Sequence, residues 1–375
     1  MSQEKPYRDF SYISAGRFAA IILQGMFYLL FAAMLGPESY GHLNVIIALA
    51  GTFSVFSRFG LHHSLQIYKA KKNSIIASQI ITLFIITTSI SSLILLSIDP
   101  LAAVLSMAIS FYLLYQHDLL GLRQYRKFMF ISILKNSLTL IVPLILYFLL
   151  DIPGIILGMA IASFIATIPF VKEIRIKSFF DLKNYQKVLI SNFGVDAAGA
   201  LPVYLDKLLI APLFGFLVVG IYQFNLQILF VLAALPGVLR MFLLTEEASG
   251  ITHRKMAKLV VLGSVALTAL SIVLAPSFVN EFFPKYSEGI PSLQIILLTA
   301  LPLSVGAIFS ARLMANESTK IGYSVFIKLP ILLVLLGILG NVYGLIGLSL
   351  AYLISTIINT TFLFILYKKM ENESK

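Results

Sequence analysis

The sequence predicts an all-α, polytopic membrane protein, with twelve transmembrane helices in two parallel-repeat six-helix lobes around a central cavity. Three observations lead there. Hydrophobic residues fill 59% of the 375 positions and charged residues only 12%, with a mean hydropathy of +0.93, whereas soluble domains carry about 25% charge. Basic residues cluster in alternate connections, as a chain that recrosses a membrane requires. A frame of leucine, alanine and glycine recurs at about half the chain length.

A spanning helix needs about 20 mainly apolar residues. Twelve such stretches run over 11–34, 42–67, 75–97, 101–120, 128–150 and 153–171, then 188–213, 216–244, 256–275, 291–315, 320–340 and 342–367, leaving no room for a soluble domain. The opening MSQEKPYRDF mixes acidic and basic residues. The stretch after it is longer than a signal-peptide core and lacks a small-residue cleavage site, so a retained first helix is expected.

The connections confirm the count. Of 28 Lys and Arg, Arg17, Arg58, Lys135, Lys207 and Lys328 lie well inside spans, and the other 23 lie in connections or toward span ends. With a cytoplasmic N-terminus, 22 of those 23 fall on the cytoplasmic side: Lys5 and Arg8; Lys69, Lys71 and Lys72; Arg123, Arg126 and Lys127; Lys172, Arg175, Lys177, Lys183 and Lys187; Arg240, Arg254, Lys255 and Lys258; Arg312 and Lys320; Lys368, Lys369 and Lys375. Lys285 alone falls opposite. Both termini are therefore expected to be cytoplasmic and the protein multi-pass in the plasma (inner) membrane. The net charge of +11 is accounted for by topology, so no nucleic acid partner is expected. The absence of cysteine excludes disulfides, thiolate metal sites and a cysteine nucleophile.

The polar segment KEIRIKSFFDLKNYQK, residues 172–187, separates an N-terminal lobe, 1–171, from a C-terminal lobe, 188–375. LLFAAMLGPESYG and LLIAPLFGFLVVG share one frame, in which Leu29, Leu30, Ala32, Gly36 and Gly41 match Leu208, Leu209, Ala211, Gly215 and Gly220 at an offset of 179. A weaker echo aligns PGIILGMAIA from 153 with VYGLIGLSLA from 342, at an offset of 189, with the extra length placed in the loop FFPKYSEGIPS. Six spans per half start both repeats on the same side, so the repeats are parallel. Small-residue frames also recur in polytopic proteins simply because they let helices pack closely.

LGPESYG after the first helix, with SRFGLHHSLQIY closing the second, resembles the N-terminal signature of polysaccharide flippases. YLDKLLIAPLFGFLVVGIYQFN is similar to the seventh-to-eighth helix signature of the same proteins, members of the multidrug/oligosaccharidyl-lipid/polysaccharide exporter superfamily. The resemblance implies a transporter of lipid-linked oligosaccharides without a catalytic residue, and matches Asp206 to a signature acid without settling its role. It leaves the cargo unnamed.

Charges inside spans cost on the order of 2.5–3.5 kcal/mol each and mark functional positions. Arg17, Arg58, Lys135, Lys328 and Asp196 all lie roughly 10–15 Å from the cytoplasmic ends of their spans at 1.5 Å per residue. Two readings are open for the four cations. Each can snorkel to the headgroups, or together they line a wet cavity that binds an anionic headgroup, with arginine forks suited to phosphate and lysine supplying a point charge. Arg17 and Asp196 match at the offset of 179 and are expected to bridge, either as a gate broken by phosphate or as a permanent pair. Asp206 and Lys207 lie deeper in span 7. Neighbours on a helix point about 100° apart, so these two are not expected to pair. Asp206 reads as a proton or sodium site, a partner for another cation, or a structural acceptor. Gly194, Gly199 and Pro202 make span 7 the expected bend, as a hinge or a static kink. His62, His63 and His117 lie near cytoplasmic helix ends, where histidine is ordinary, and no metal or other cofactor is expected.

The function this supports is flipping of a polyprenyl-phosphate- or diphosphate-linked oligosaccharide to the outer leaflet, with membrane lipid and glycan-assembly enzymes as partners. A multidrug cation antiporter would present acids rather than cations to its substrate. The resemblance extends to the lipid II flippases, a reading that stays open although those carry fourteen spans and this chain accommodates twelve. A glycan polymerase or ligase would need catalytic acids on a large outer loop, where only Glu281 and Glu288 stand.

Overall fold

The computed structural model describes residues 4–171, 186–248, 254–315 and 323–373. Most of the expected linker, 172–185, therefore lies outside the described residues. The helices are α1 (Glu4–Leu35), α2 (Pro37–Arg58), α3 (Leu61–Ala70), α4 (Ser74–Leu96), α5 (Pro100–Gly121), α6 (Tyr125–Val171), α7 (Gln186–Ala248), α8 (Arg254–Phe282), α9 (Ile290–Leu297), α10 (Ala300–Ala315) and α11 (Tyr323–Glu373), with a short 3-10 turn at Pro284–Gly289. No strand occurs among the described residues.

Among the described residues, nine segments are long and apolar enough to cross a membrane. Three of them, in α6, α7 and α11, are interrupted at Asp151, Gly215 and Gly344. The arms on either side of each interruption lie together: Gly158 packs on Pro143, Tyr222 lies within electrostatic range of Asp206, and Gly340 packs on Leu348. Nine segments with three doubled give twelve passes, so the protein is an all-α, multi-pass membrane protein of two six-helix repeats. Side chains such as Phe148 and Val273, both 73% exposed, need lipid rather than water around them. Local signals set several ends. Asn73 accepts the Ile76 amide at 3.1 Å to start α4, and Asp99 accepts the Ala102 amide at 2.8 Å, with proline following at the first helical position, to start α5.

The chain packs as two compact units that cut across individual helices. One comprises 1–27 and 45–204; the other comprises 28–44 and 205–375. The core of the first gathers Leu61, Leu65, Ile80, Phe84, Leu114, Leu119, Phe128 and Phe170 from α3 to α6.

Within the second unit the repeated glycine frame closes on itself. Gly36 and Gly215 both take positive φ, 77° and 83°, which a Cβ disfavours, and each turns one helix into the next. A Cβ on Gly41 would overlap the Phe216 carbonyl and lie 2.9 Å from the Gly220 nitrogen; one on Gly220 would overlap the Pro37 carbonyl and lie 3.0 Å from the Gly41 nitrogen. Pro37 and Phe216 are themselves equivalent at the offset of 179, so the contact is reciprocal and a pseudo-two-fold axis passes between the two glycines. Tyr286 secures the same turn, donating to the Ala32 carbonyl at 3.0 Å and meeting Tyr40 edge-on.

The second echo has a different register from the expected 189. Asp151 (φ 54°, ψ −139°) and Gly344 (φ 55°, ψ −134°) are the equivalent turn residues, and Gly154 meets the Leu146 carbonyl as Gly347 meets that of Leu339. The offset is therefore 193. Small residues spaced four apart look alike when shifted by one helical turn, which hides a slip of four. The corrected register makes Lys135 the equivalent of Lys328.

Gly41→Ala and Gly220→Ala are each expected to cost about 1–3 kcal/mol by overpacking, read as a lowered unfolding temperature in detergent. Gly337→Ala, where open space surrounds the Cβ position, should be neutral or stabilising. Equal melting of all three variants would contradict the crossing.

Candidate functional site

Helix α2 ends at Arg58, and the chain passes through Phe59 and Gly60 with φ of 43° and 69° before α3 resumes. That break lets the start of α7 come in against the backbone. A Cβ on Gly60 would collide with the Phe193 amide, Phe59 stacks on Phe193 with ring centroids 4.5 Å apart, and Asn192 donates to the Ser64 hydroxyl at 2.8 Å. Higher on the same pair of helices Gly51 lies against the Tyr204 ring.

The junction carries charge. Arg58 is 3% exposed and donates through Nη2 to both Asp196 oxygens, at 3.1 and 3.3 Å, and through Nη1 to the Ser54 hydroxyl. Its Nε is buried with no hydrogen-bond partner. His62 Nε2 lies 3.7 Å from Asp196 Oδ1. His62, His63 and His117 form a ring triad with centroids 4.1–4.7 Å apart. His117 Nδ1 donates to Gln66 Oε1 at 2.7 Å, and Lys69 pairs with the buried Asp118 next door at 2.8 Å.

The sequence expected Asp196 to bridge Arg17; its carboxylate is held by Arg58 and His62 instead. Equivalent positions meet only where they lie on the pseudo-axis, as Gly41 and Gly220 do. Gly16, beside Arg17, packs on Met129 of α6, and Arg17 is exposed within electrostatic reach of His117. Arg17 and Arg58 thus bear on one cluster.

Lys135 and Lys328 lie elsewhere, in equivalent settings. Lys135 Nζ rests 5.3 Å from the Tyr112 ring centroid and Lys328 Nζ 5.1 Å from that of Tyr352. Asp206 and Lys207 do pair, against the sequence expectation: Lys207 Nζ reaches Asp206 Oδ1 at 3.1 Å, and its backbone amide donates to the same oxygen at 2.8 Å. A separation of 100° parts short side chains, but a lysine stem is long enough to fold back over its neighbour when both are buried. Tyr222, Tyr352 and Lys328 stand within electrostatic range of Asp206. In α7 the non-helical φ/ψ falls at Gly215, the turn between spans 7 and 8. Gly194, Gly199 and Pro202 lie within the first arm, and Gly199 has open space beside it.

No family model matches the chain. An uncharacterized membrane protein of Methanocaldococcus jannaschii is 24% identical over 381 residues, covering 88% of this chain and 90% of the relative. Among solved structures, the fold resembles those of a lipid flippase and of multidrug transporters. In particular, the lipid II flippase MurJ in an inward closed conformation superposes with a TM-score of 0.78 at 17% identity, covering 95% of this chain and 87% of that one. An inward-facing multidrug resistance MATE transporter of the multidrug/oligosaccharidyl-lipid/polysaccharide exporter superfamily gives 0.65 at 14% identity, covering 93% and 94%.

Asp196→Ala strands Arg58 as a buried uncompensated charge and should cost about 3–5 kcal/mol. The double variant Arg58→Ala/Asp196→Ala should recover most of that loss in unfolding experiments in detergent. Additive losses from the two single variants would show that the pair is not coupled.

Proposed function

We propose that the protein is an alternating-access flippase that carries an oligosaccharide linked to a polyprenyl phosphate or diphosphate from the cytoplasmic to the outer leaflet of the plasma membrane, with both termini cytoplasmic. The observation that carries this reading is Arg58: a buried guanidinium held by a single carboxylate, with three imidazoles near it and Arg17 within electrostatic reach of one of them. Phosphate oxygens offer the guanidinium what Asp196 offers, a planar pair of anionic acceptors. Exchange of one oxyanion for another leaves the arginine satisfied and releases Asp196, and with it the start of α7, from the α2–α3 break.

The magnitudes are adequate. Moving a two-state equilibrium from 1:99 to 99:1 takes about 5.5 kcal/mol of differential binding. Hydrogen bonds to charged groups contribute about 1.5–3 kcal/mol each, so phosphate contacts with Arg58 and Arg17 supply most of that difference. Lys135 and Lys328, equivalent in the repeats, are assigned as further headgroup contacts that exchange a tyrosine face for a phosphate. Gly194, Gly199 and Pro202 are assigned as the flexible part of α7. Transport of this kind breaks no covalent bond and needs no catalytic residue. Glycan-assembly enzymes would supply the cargo.

Export of organic cations is a second reading, favoured by the buried carboxylate of Asp206 with Tyr222 and Tyr352 near it. Lys207 on that carboxylate and Lys328 close by oppose a cationic substrate at the same place, so Asp206 and Lys207 are assigned to coupling.

Arg17→Ala and Arg58→Ala are expected to abolish flipping of a lipid-linked glycan in proteoliposomes, read by a membrane-impermeant reagent, with membrane insertion intact. Lysine at either position should restore little. Wild-type flipping by both alanine variants would overturn the headgroup assignment, and export of organic cations without glycan flipping would favour the second reading.

A further inference from the structure

The three clustered histidines carry a feature that headgroup binding does not use. His62 and His63 begin α3, immediately after the left-handed turn at Phe59 and Gly60, and His117 comes from the end of α5. One ring nitrogen from each lies within 4.8 Å of the others. Around a tetrahedral ion with metal–nitrogen bonds of about 2.0–2.1 Å, donor nitrogens stand about 3.3 Å apart. Ring movements on the order of 1 Å would close the difference, well within the reach of side-chain rotation.

Protonation and orientation already suit coordination. Gln66 Oε1 can only accept, so His117 Nδ1 carries the proton and its Nε2 keeps a lone pair. An imidazole that donates its other nitrogen to an oxygen is the outer-shell arrangement that fixes a metal ligand's tautomer and orientation. His62 Nδ1 is buried without a hydrogen-bond partner. A buried polar atom left unpaired costs free energy, and a metal ion would satisfy it. Asp196 Oδ1, 3.7 Å from His62 Nε2, stands beside the cluster. The charge of Arg58 opposes a dication there, but Asp196 offsets it at 3.1 Å. His62 is buried while His63 and His117 are half-buried, which leaves the cluster accessible to an entering ion.

We propose that His62, His63 and His117 form a binding site for a divalent transition metal of the zinc and cobalt class, held by three neutral imidazoles with a fourth position open to Asp196, water or an anionic oxygen. Nitrogen donors without carboxylate cages select such ions over magnesium or calcium. Metal binding would tie α3 to α5 beside the Arg58–Asp196 pair, and so bias the junction between α2 and α7 whatever the transported substrate.

The test uses the full chain, purified in detergent and stripped of metal, titrated with Co2+ and followed by its ligand-field absorption, with Zn2+ as competitor. One saturable equivalent with a tetrahedral spectrum, displaced by Zn2+, is expected. His63→Gln and His117→Gln should abolish it, Gln66→Leu should weaken it about tenfold, and His42→Gln, a histidine in the other compact unit, should leave it unchanged. Should His117→Gln fold poorly, His63→Gln decides, because His63 is only half-buried. Absence of a saturable site in wild type would overturn the proposal. So would binding that survives His63→Gln, or saturable binding of inorganic phosphate without Co2+, which would make the cluster an anion site.

Discussion

A charge within a membrane-spanning helix must bring its compensation with it, because lipid offers none. The charged positions of this chain obey that constraint in three ways. Arg58 takes Asp196 from another helix, Lys207 folds onto Asp206 beside it, and Lys135 and Lys328 lie against tyrosine rings. These solutions differ in what they permit. Asp206 and Lys207 share one helix and can move together without losing each other, whereas Arg58 and Asp196 lie on α2 and α7 and hold only while those helices stay docked. An ion pair that couples two elements is where a ligand can act on conformation, since a ligand shifts an equilibrium only through contacts that differ between its states.

The backbone crossing at Gly41 and Gly220 has the opposite character. There no side chain intervenes, and carbonyls fill the space a Cβ would need. Contacts of this kind come from small residues and close approach rather than from charge, so no anion competes for them. Helices α2 and α7 thus meet twice, by backbone packing at Gly41 and Gly220 and by an exchangeable ion pair at Arg58 and Asp196.

Much of this was legible in sequence, and the failures are informative. Apolar runs and the distribution of basic residues gave twelve passes, because lipid imposes length and composition directly. The frame shared by Gly36 and Gly215 was recognisable because positive φ and close approach both demand glycine. The depth estimate put Arg58 and Asp196 in one layer but could not choose between Arg17 and Arg58 as the partner, since depth says nothing about direction around a helix. Helical-wheel reasoning separated Asp206 from Lys207 because it tracks Cβ directions and ignores side-chain reach. A four-residue slip in the second echo hid the equivalence of ILK at 133–135 with FIK at 326–328. The histidine cluster depends on the break at Phe59 and Gly60, whose geometry no local pattern discloses beyond the glycine itself.

The central claim is that docking of α2 on α7 around Arg58 and Asp196 must be released during transport. The chain has no cysteine, so Phe59→Cys/Phe193→Cys can be joined by a short bifunctional thiol reagent across the stacked rings. The decisive measurement is the flipping rate of that variant in proteoliposomes before and after cross-linking. The account predicts full transport before the link and its loss afterwards, with either single-cysteine variant unaffected by the reagent. Undiminished flipping by the cross-linked protein would show that this junction is a permanent fastening, and the account would be wrong.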